Sequence, residues 1–258
     1  MKKIFFILAF LSLAKNSLAF TVNHEFDVFI GKFNASRTSF SYSVSDKDYT
    51  VSSDVKTYGL FDKLYPFQAV YSTEGKIGKD KEMKTVSYKY VAKSRFNRRT
   101  KELVYNDEGI PVYRISSKNE KEKKSNVNVD VDVESTTDLQ TVMAELVMQY
   151  AEFRFCDARM EVFDGKKRFD VIFKDEGNQT IKANKYSAFE GSATKCSMYI
   201  DNLGSKGGDM LWEISSDQPV YFWIMEDENK IPFIARLEIK DTKYGRVQVY
   251  TKNVEVRK

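Results

Sequence analysis

Alternation of apolar and polar residues is the feature that most constrains the fold of this chain. Residues 126–133 read Asn-Val-Asn-Val-Asp-Val-Asp-Val, and residues 39–44 read Ser-Phe-Ser-Tyr-Ser-Val. Successive side chains of a β-strand point to opposite faces, so such a segment sends one row of side chains to a core and the other to solvent. Similar patterns predict further strands at 25–31, 48–57, 67–74, 84–92, 160–163, 168–174, 194–200, 209–215, 220–225, 233–240 and 245–256.

Turn residues separate several of these segments and indicate antiparallel pairing. Asp164-Gly165 lies between Met160–Phe163 and Arg168–Val171, and a glycine at such a position tolerates the positive φ that hairpin turns need. The mixed-charge run Lys118–Lys124 is expected to be a solvated loop, since its two signs are interleaved. A docking patch is the alternative for that run.

One segment has helical periodicity instead. Its apolar residues fall at i, i+3, i+4, i+7 and i+8, namely Leu139, Val142, Met143, Leu146 and Val147. Thr137 followed by Gln140 fits a capping box, which places a helix at about residues 137–150. A second short helix or loop is expected at Leu60–Leu64, before Pro66.

Together these patterns predict a mainly β fold. We expect a large curved antiparallel sheet, or an open β-barrel or β-roll, with the helix at 137–150 packed against it. Residues 20–258 are expected to form a single β-rich domain, preceded by a signal peptide at 1–19.

The first residues have the layout of a secretory signal. Lys2 and Lys3 precede the apolar run Ile4–Ala14, and Ser17-Leu18-Ala19 offers small residues at the positions that a signal peptidase recognises. We expect cleavage after Ala19, export to the periplasm of a Gram-negative type envelope, and no transmembrane span afterwards. A short anchor helix is the alternative.

Charge argues against a nucleic-acid partner. The full chain has 41 basic and 37 acidic residues, and removing Lys2, Lys3 and Lys15 leaves 38 minus 37, or +1. Binding to nucleic acid requires a concentration of basic charge that this balance does not indicate.

Cys156 and Cys196 are the chain's two cysteines. An exported protein meets an oxidising compartment, so a structural disulfide is expected, closing a loop of roughly 40 residues for about 4 kcal/mol. Two buried thiols or a redox pair are the alternatives.

Catalytic candidates are few. His24 is the single histidine, and it follows the predicted cleavage point so closely that we expect it to be mobile and not catalytic. One histidine and two distant cysteines are too few for a usual zinc site, so neither metal nor other cofactor is expected. Asp130 and Asp132 share the polar face of one predicted strand, and solvent exposure is expected for both.

Aromatic residues are abundant, with 19 Phe, 15 Tyr and 2 Trp. Most are expected in the sheet core, and the remainder could line an apolar cavity within a curled sheet. In Tyr221-Phe222-Trp223, alternation places Phe222 opposite its neighbours. The predicted ligand-facing residues are Met143, Leu146, Phe222 and Trp223.

Several short segments, taken in order, make the chain resemble an uncharacterised family of exported bacterial proteins, domain of unknown function 3108. They include 26–31, 57–60, 71–75, 162–169, 186–191 leading to Cys196, 219–224 and 231–236. The resemblance implies an envelope protein with a large curved sheet, and it supplies no activity and no catalytic residues.

Three functional hypotheses follow. The first is a non-enzymatic periplasmic binding or envelope-maintenance protein that holds an apolar or lipid ligand between sheet and helix. The second is a structural module that docks on another envelope protein through a strand edge. The third is a glycan hydrolase that uses Asp130 and Asp132.

Overall fold

The computed structural model describes residues 19–127, 132–201, 218–242 and 244–257. These residues contain fourteen strands and two helices. The strands are β1 (Phe20–Ile30), β2 (Phe33–Val44), β3 (Asp48–Thr57), β4 (Phe67–Ile77), β5 (Met83–Ser94), β6 (Arg98–Tyr105), β7 (Pro111–Lys118), β8 (Lys121–Asn126), β9 (Ala158–Phe163), β10 (Arg168–Ile181), β11 (Gly191–Asp201), β12 (Val220–Glu226), β13 (Pro232–Ile239) and β14 (Val247–Arg257). The helices are α1 (Gly59–Leu64) and α2 (Leu139–Phe153).

All fourteen strands belong to one antiparallel sheet, in the order β8-β7-β6-β5-β4-β3-β2-β1-β14-β13-β12-β11-β10-β9. The sheet has two arms: strands β1 to β8 form the first arm and strands β9 to β14 form the second. The arms meet where β1 pairs with β14, with Val28 opposite Val249. Within the described residues β8 and β9 remain as the two edges, so the predicted class, a large antiparallel sheet that does not close, is confirmed.

Strand β1 begins earlier than its predicted bounds of 25–31. Phe20, Val22 and His24 alternate with Thr21 and Asn23, and the first three are buried. His24 therefore lies in the middle of a paired strand, and the expectation that it would be mobile is wrong. The reason is that β1 is a central strand, hydrogen-bonded to β2 on one side and to β14 on the other.

Three strands of the first arm are absent from the sequence-based prediction: β6, β7 and β8. The expected loop at Lys118–Lys124 is wrong except at Asn119 and Glu120, because Lys118 ends β7 and Lys121 begins β8, which pairs with β7. Nearly all side chains of β8 are exposed. Because it is an edge strand with no buried face, it needs no apolar alternation, and its lysines protect the edge from further pairing.

Over the part of 126–133 that the structure describes, the predicted strand is not seen. Asn126 ends β8, and Val127, Asp132 and Val133 belong to no strand, while residues 128–131 lie outside the described part of the chain. The predicted strand at 209–215, like the segment at 1–18, also lies outside it. Val133 instead packs in a small cluster with Leu103 and Phe163.

Helix α2 begins one residue later than the expected capping box implies. Asp138, not Thr137, is the N-cap, since its side chain accepts hydrogen bonds from the backbone N–H groups of Gln140 and Thr141. Thr137 instead pairs with the edge strand β9, opposite Val162. The Asp138 carboxylate accepts from the free N–H groups of the first turn as well as a threonine hydroxyl would.

The sheet curls around α2, so that the helix packs against both arms. Val142, Leu146 and Tyr150 pack with side chains of β9 to β13, and Ala144 and Val147 pack with side chains of β1 to β3. Because apolar side chains leave the helix toward both arms, α2 lies in the middle of the core and not on one side of a flat sheet.

A second contact joins the arms at the β9–β10 turn. Arg114 Nη1, on β7, donates to the carbonyl of Gly165 at 2.8 Å, and Lys101 Nζ, on β6, donates to the carbonyl of Asp164 at 2.9 Å. A Cβ at Gly165 would lie 3.0 Å from Leu103. The small residue therefore lets the turn approach the inner face of the first arm.

Candidate functional site

The start of α2 is anchored to the sheet by one buried carboxylate, that of Asp138. Its Oδ1 accepts from the backbone N–H groups of Gln140 (2.9 Å) and Thr141 (3.3 Å). Thr73 on β4 donates to Oδ1 at 2.9 Å, and Thr85 on β5 donates to Oδ2 at 3.0 Å. These donors offset the cost of burying the carboxylate. They also fix the helix N-terminus over two strands of the first arm.

Tyr49 extends this network to β3. Its hydroxyl lies 2.8 Å from Thr141 Oγ1 and 3.3 Å from Thr85 Oγ1. Burial raises the pKa of the Tyr49 phenol, so the group stays neutral. The Tyr49 ring lies directly over Gly75, where a Cβ would be 2.1 Å from ring carbon Cε1. Glycine at position 75 is therefore required for the ring to reach the network.

The other end of α2 is attached to the second arm. Arg154 ends the helix with a φ of 61°, forms an ion pair with Glu226, and donates from Nη1 to the carbonyl of Lys230 at 3.2 Å. Just beyond it, Cys156 and Cys196 lie at disulfide-bonding distance, with an S–S separation of 2.09 Å and a Cα–Cα separation of 6.3 Å. The segment after α2 is therefore tied to β11.

An apolar contact between the middle of α2 and the sheet is the first candidate binding site. We call it the apolar seam. Three of the four predicted ligand-facing residues meet there: Met143 and Leu146 from the helix and Phe222 from β12. The other lining residues are Phe40, Tyr42, Val147, Ile224, Pro232, Phe233 and Ile234. The unfilled volume is about 10 Å³, roughly the room that one buried water molecule needs.

Trp223 does not join the apolar seam. Its indole Nε1 donates to Gln179 Oε1 at 2.7 Å, and the Arg236 guanidinium lies 4.9 Å from its ring centroid. Strand alternation sends Trp223 to the face opposite Phe222. Trp223 is therefore not placed with the other three predicted ligand-facing residues.

His24 lies beside the apolar seam. Its ring stacks on Phe26 with 5.2 Å between centroids, and it is 5.9 Å from the ring of Tyr42 and 6.4 Å from that of Phe233. Burial lowers the pKa of His24 to about 4, so the imidazole is neutral near pH 7. Its Nδ1 has no hydrogen-bond partner within the described residues. Sequence reasoning missed this position, although its place in the Phe20-Thr-Val-Asn-His alternation was a signal.

A polar cleft of about 460 Å³ is the second candidate site. It lies between the start of β5, the β6–β7 turn, helix α2 and β9, and we call it the acidic cleft. Five glutamates line it together with Lys84 and Arg159: Glu82, Glu108, Glu134, Glu145 and Glu161. Within the described residues, no three acidic, histidine or cysteine side chains form a group able to hold a metal ion.

Two glutamates of the acidic cleft have shifted pKa values. Burial, and then the charges of Asp138 and Glu82, raise the pKa of Glu145 to about 7. Hydrogen bonds from Ser135 and Arg168 lower the pKa of Glu161. Glu145 was missed from the sequence, although it is a lone acidic residue within the apolar stretch Val142–Met148.

The predicted carboxylate pair is not seen as a pair. Asp130 lies outside the described residues, and the Asp132 side chain is exposed and forms a salt bridge with Arg168 at 3.2 Å.

Ala19, the predicted last residue of the signal peptide, is exposed and immediately precedes β1. Neither helix in the described part of the chain combines the length and the apolar character needed to cross a membrane.

Comparison with known proteins gives a family and a fold. A family model described as "Protein of unknown function (DUF3108)" matches residues 25–250. A solved structure, a beta-barrel-like protein of domain of unknown function DUF1849 from Brucella abortus, is similar with a TM-score of 0.53 and 10% identity. The match covers 93% of this chain and 98% of that one. No curated protein matches the sequence.

Proposed function

The chain belongs to the DUF3108 family, and we propose that it is a non-enzymatic binding or maintenance protein of the cell envelope that holds an apolar ligand, such as a lipid chain, in the apolar seam. The observation that carries this proposal is the meeting of Met143, Leu146 and Phe222 around unfilled space between helix and sheet. A wholly apolar lining favours a hydrocarbon group over a polar one.

Entry of a ligand requires the seam to widen. Its present volume of about 10 Å³ does not hold a hydrocarbon chain. Met143 is partly exposed, and its unbranched thioether side chain repacks more readily than a branched one. Both ends of α2 are attached to the sheet, so a small outward displacement of its middle is the movement that would admit a chain.

The test is native mass spectrometry of the protein isolated gently from its own periplasm. We expect an added mass that resolves to a lipid under denaturing conditions. Met143→Glu and Phe222→Glu place a charge in the seam and should abolish the added mass. Trp223→Phe changes the opposite face and serves as the matched control that retains it.

Folding is checked separately, by circular dichroism and by thiol titration. A folded Met143→Glu variant that keeps its lipid would place the site elsewhere. A wild-type protein that carries no added mass, together with a partner recovered by crosslinking, would favour the protein-interaction alternative.

The other two functions have less support. In the described sheet, docking along a strand edge would use β8, whose lysines oppose pairing, or β9. The edge of β9 is partly covered, because the Thr137 backbone N–H donates to the Glu161 carbonyl at 2.9 Å. Glycan hydrolysis by Asp130 and Asp132 requires two carboxylates that face one substrate, and Asp132 is already paired with Arg168.

A further inference from the structure

One end of the first arm exposes apolar side chains that no other part of the described chain covers. The strand registers bring the turns at this end together: Ser36 pairs with Thr57, Phe67 pairs with Ser94, and Arg99 pairs with Lys118. The β1–β2 turn, helix α1, the β5–β6 turn and the β7–β8 turn therefore lie side by side. We call this end of the first arm the rim.

Five large apolar side chains of the rim are more than half exposed. They are Phe33 (63%), Leu60 (57%), Leu64 (55%), Tyr65 (73%) and Phe96 (80%). Leu60 and Leu64 are four residues apart on α1, which buries none of its residues, so they share one outward face of that helix. Single exposed apolar residues are ordinary, but a group at one end of a molecule marks an interaction surface.

The same rim is basic. Six basic residues, all exposed, lie in its turns or at the adjoining strand ends: Lys32, Lys63, Arg95, Arg98, Lys118 and Lys121. None of the six forms a salt bridge with a described carboxylate. Arg95 Nη2 donates to the carbonyl of Lys63 at 3.1 Å, which joins the β5–β6 turn to α1.

Few acidic residues balance this charge. In the same turns and strand ends the acidic residues are Asp62 and Glu120, so the rim has six basic residues against two acidic ones. Counted in the same way, the turns at the opposite end of the first arm have three basic residues against six acidic ones. The first arm is therefore polarised along its strands, with the rim at its positive end.

We propose that the rim docks on the surface of a bilayer that contains anionic phospholipids. Leu and Phe side chains, and Tyr with a polar hydroxyl on an apolar ring, suit the boundary between headgroups and acyl chains. Lysine and arginine beside them attract the lipid phosphates. Binding to another protein would account for the exposed apolar side chains of the rim. It would not by itself account for the basic residues at each of the neighbouring turns.

This inference stands apart from the proposed ligand in the apolar seam. The seam is lined by α2 and strands β2, β12 and β13, whereas the basic residues of the rim lie at the far end of β2 and beyond it, out to β8. Vesicle binding tests the rim and lipid retention tests the seam. The bilayer-docking proposal can therefore be refuted while the ligand proposal stands, and the reverse is also true.

The experiment is flotation of the purified protein with phosphatidylcholine vesicles prepared with and without phosphatidylglycerol. We expect binding to the anionic vesicles that weakens when the salt concentration rises from about 0.1 M to about 0.5 M, because salt screens exposed charges. Arg95→Ser with Arg98→Ser should weaken binding about 25-fold, at about fivefold for each charge removed. Lys47→Ser with Lys79→Ser, at the opposite end, is the matched charge control and should have no effect.

The apolar contribution is tested with Leu64→Asn combined with Tyr65→Ser. These side chains contact solvent, so the variant should fold normally and lose binding to anionic vesicles. The matched control is Phe153→Ser with Phe155→Ser, which removes two exposed rings at the C-terminal end of α2. This variant should bind like wild type. A Phe96→Trp reporter should show a blue shift of its emission on binding, whereas a Phe153→Trp reporter should not.

Four results would overturn the proposal. One is equal binding to neutral and anionic vesicles, and another is binding that the rim variants do not change. The third is binding of soluble polyphosphate without binding of vesicles. The fourth is self-association through the rim, seen by sedimentation and lost in the rim variants, with no vesicle binding.

Discussion

At the scale of residues, two partly or fully buried ionisable groups, one on β1 and one on α2, respond to pH in opposite directions. Burial lowers the pKa of His24 from 6.5 to about 4, and burial together with nearby carboxylates raises the pKa of Glu145 from 4.5 to about 7. Each shift means that the folded protein favours the neutral form of the group.

The signs follow from linkage. Burial of His24 costs no free energy of unfolding above pH 6.5, where the imidazole is neutral in the folded and the unfolded protein. The free energy of unfolding falls as the pH is lowered from 6.5 through about 4. Burial of Glu145 costs no free energy of unfolding below pH 4.5, where the carboxyl group is protonated in the folded and the unfolded protein. The free energy of unfolding falls as the pH is raised from 4.5 through about 7. Between these limits the two contributions, each roughly 3 kcal/mol, offset each other.

We therefore predict that the free energy of unfolding depends more strongly on pH in the two single variants than in the wild-type protein, where the two contributions offset each other. The free energy of unfolding of Glu145→Gln should fall as the pH is lowered from about 6.5 to about 4. That of His24→Phe should rise as the pH is lowered from about 7 to about 4.5. Urea unfolding across this range measures both, and the double variant is the control that should lack both trends. Parallel curves for all four proteins would contradict the assignment.

At the scale of elements, helix α2 is the part of the chain on which both arms depend. Its first turn is held by Asp138 to β4 and β5, and the segment after its last turn is held by Cys156 to β11. The two attachments differ in chemistry: one is a buried hydrogen-bond network, and the other is a cysteine pair at disulfide-bonding distance.

We predict that the disulfide is a main source of stability. Its sequence separation is 40 residues, and the chain-entropy model gives about 4 kcal/mol for a loop of that length. Replacing both cysteines by alanine should lower the midpoint of thermal unfolding by about 8–16 °C. Calorimetry of oxidised, reduced and Ala/Ala protein measures this change. The reduced wild type should behave like the Ala/Ala variant, and equal midpoints for all three would refute the prediction.

At the scale of the whole molecule, the arms are linked by contacts between residues far apart in the chain. Strand β1 pairs with β14, although they are the first and the last described strands in chain order, and α2 packs on strands of both arms. Since neither arm covers its own inner face, we expect the arms to lose their structure together.

Asp138→Ala tests this coupling. Loss of the cap together with loss of the threonine hydrogen bonds to the carboxylate should cost roughly 2 to 4 kcal/mol. Hydrogen exchange should then quicken in strands of both arms, not in β4 and β5 alone. Asp107→Ala, in an exposed turn, is the control and should leave exchange unchanged. Faster exchange confined to β4 and β5 would show that the arms open independently.

Much of the fold could be read from local patterns. Alternation fixes most strands of the second arm and the opposite faces of Phe222 and Trp223, and the 3.6-residue period fixes α2. These patterns are local because each reports which side chains of one element turn toward apolar surroundings. The edge strand β8 was missed for the same reason, since a strand without a buried face has no such pattern.

Only the tertiary structure decided where these elements meet. Nothing near Asp138 in the sequence indicates that Thr73 and Thr85 would converge on it, or that Tyr49 would reach Thr141 beside it, because all three arrive through strand pairing across the first arm. The rim likewise depends on register, which brings turns from separate hairpins to one end. The sequence by itself determined which residues prefer burial and with what period. The pairing of distant strands and the curl around α2 determined which of them share a site, because those contacts join residues that the chain keeps far apart.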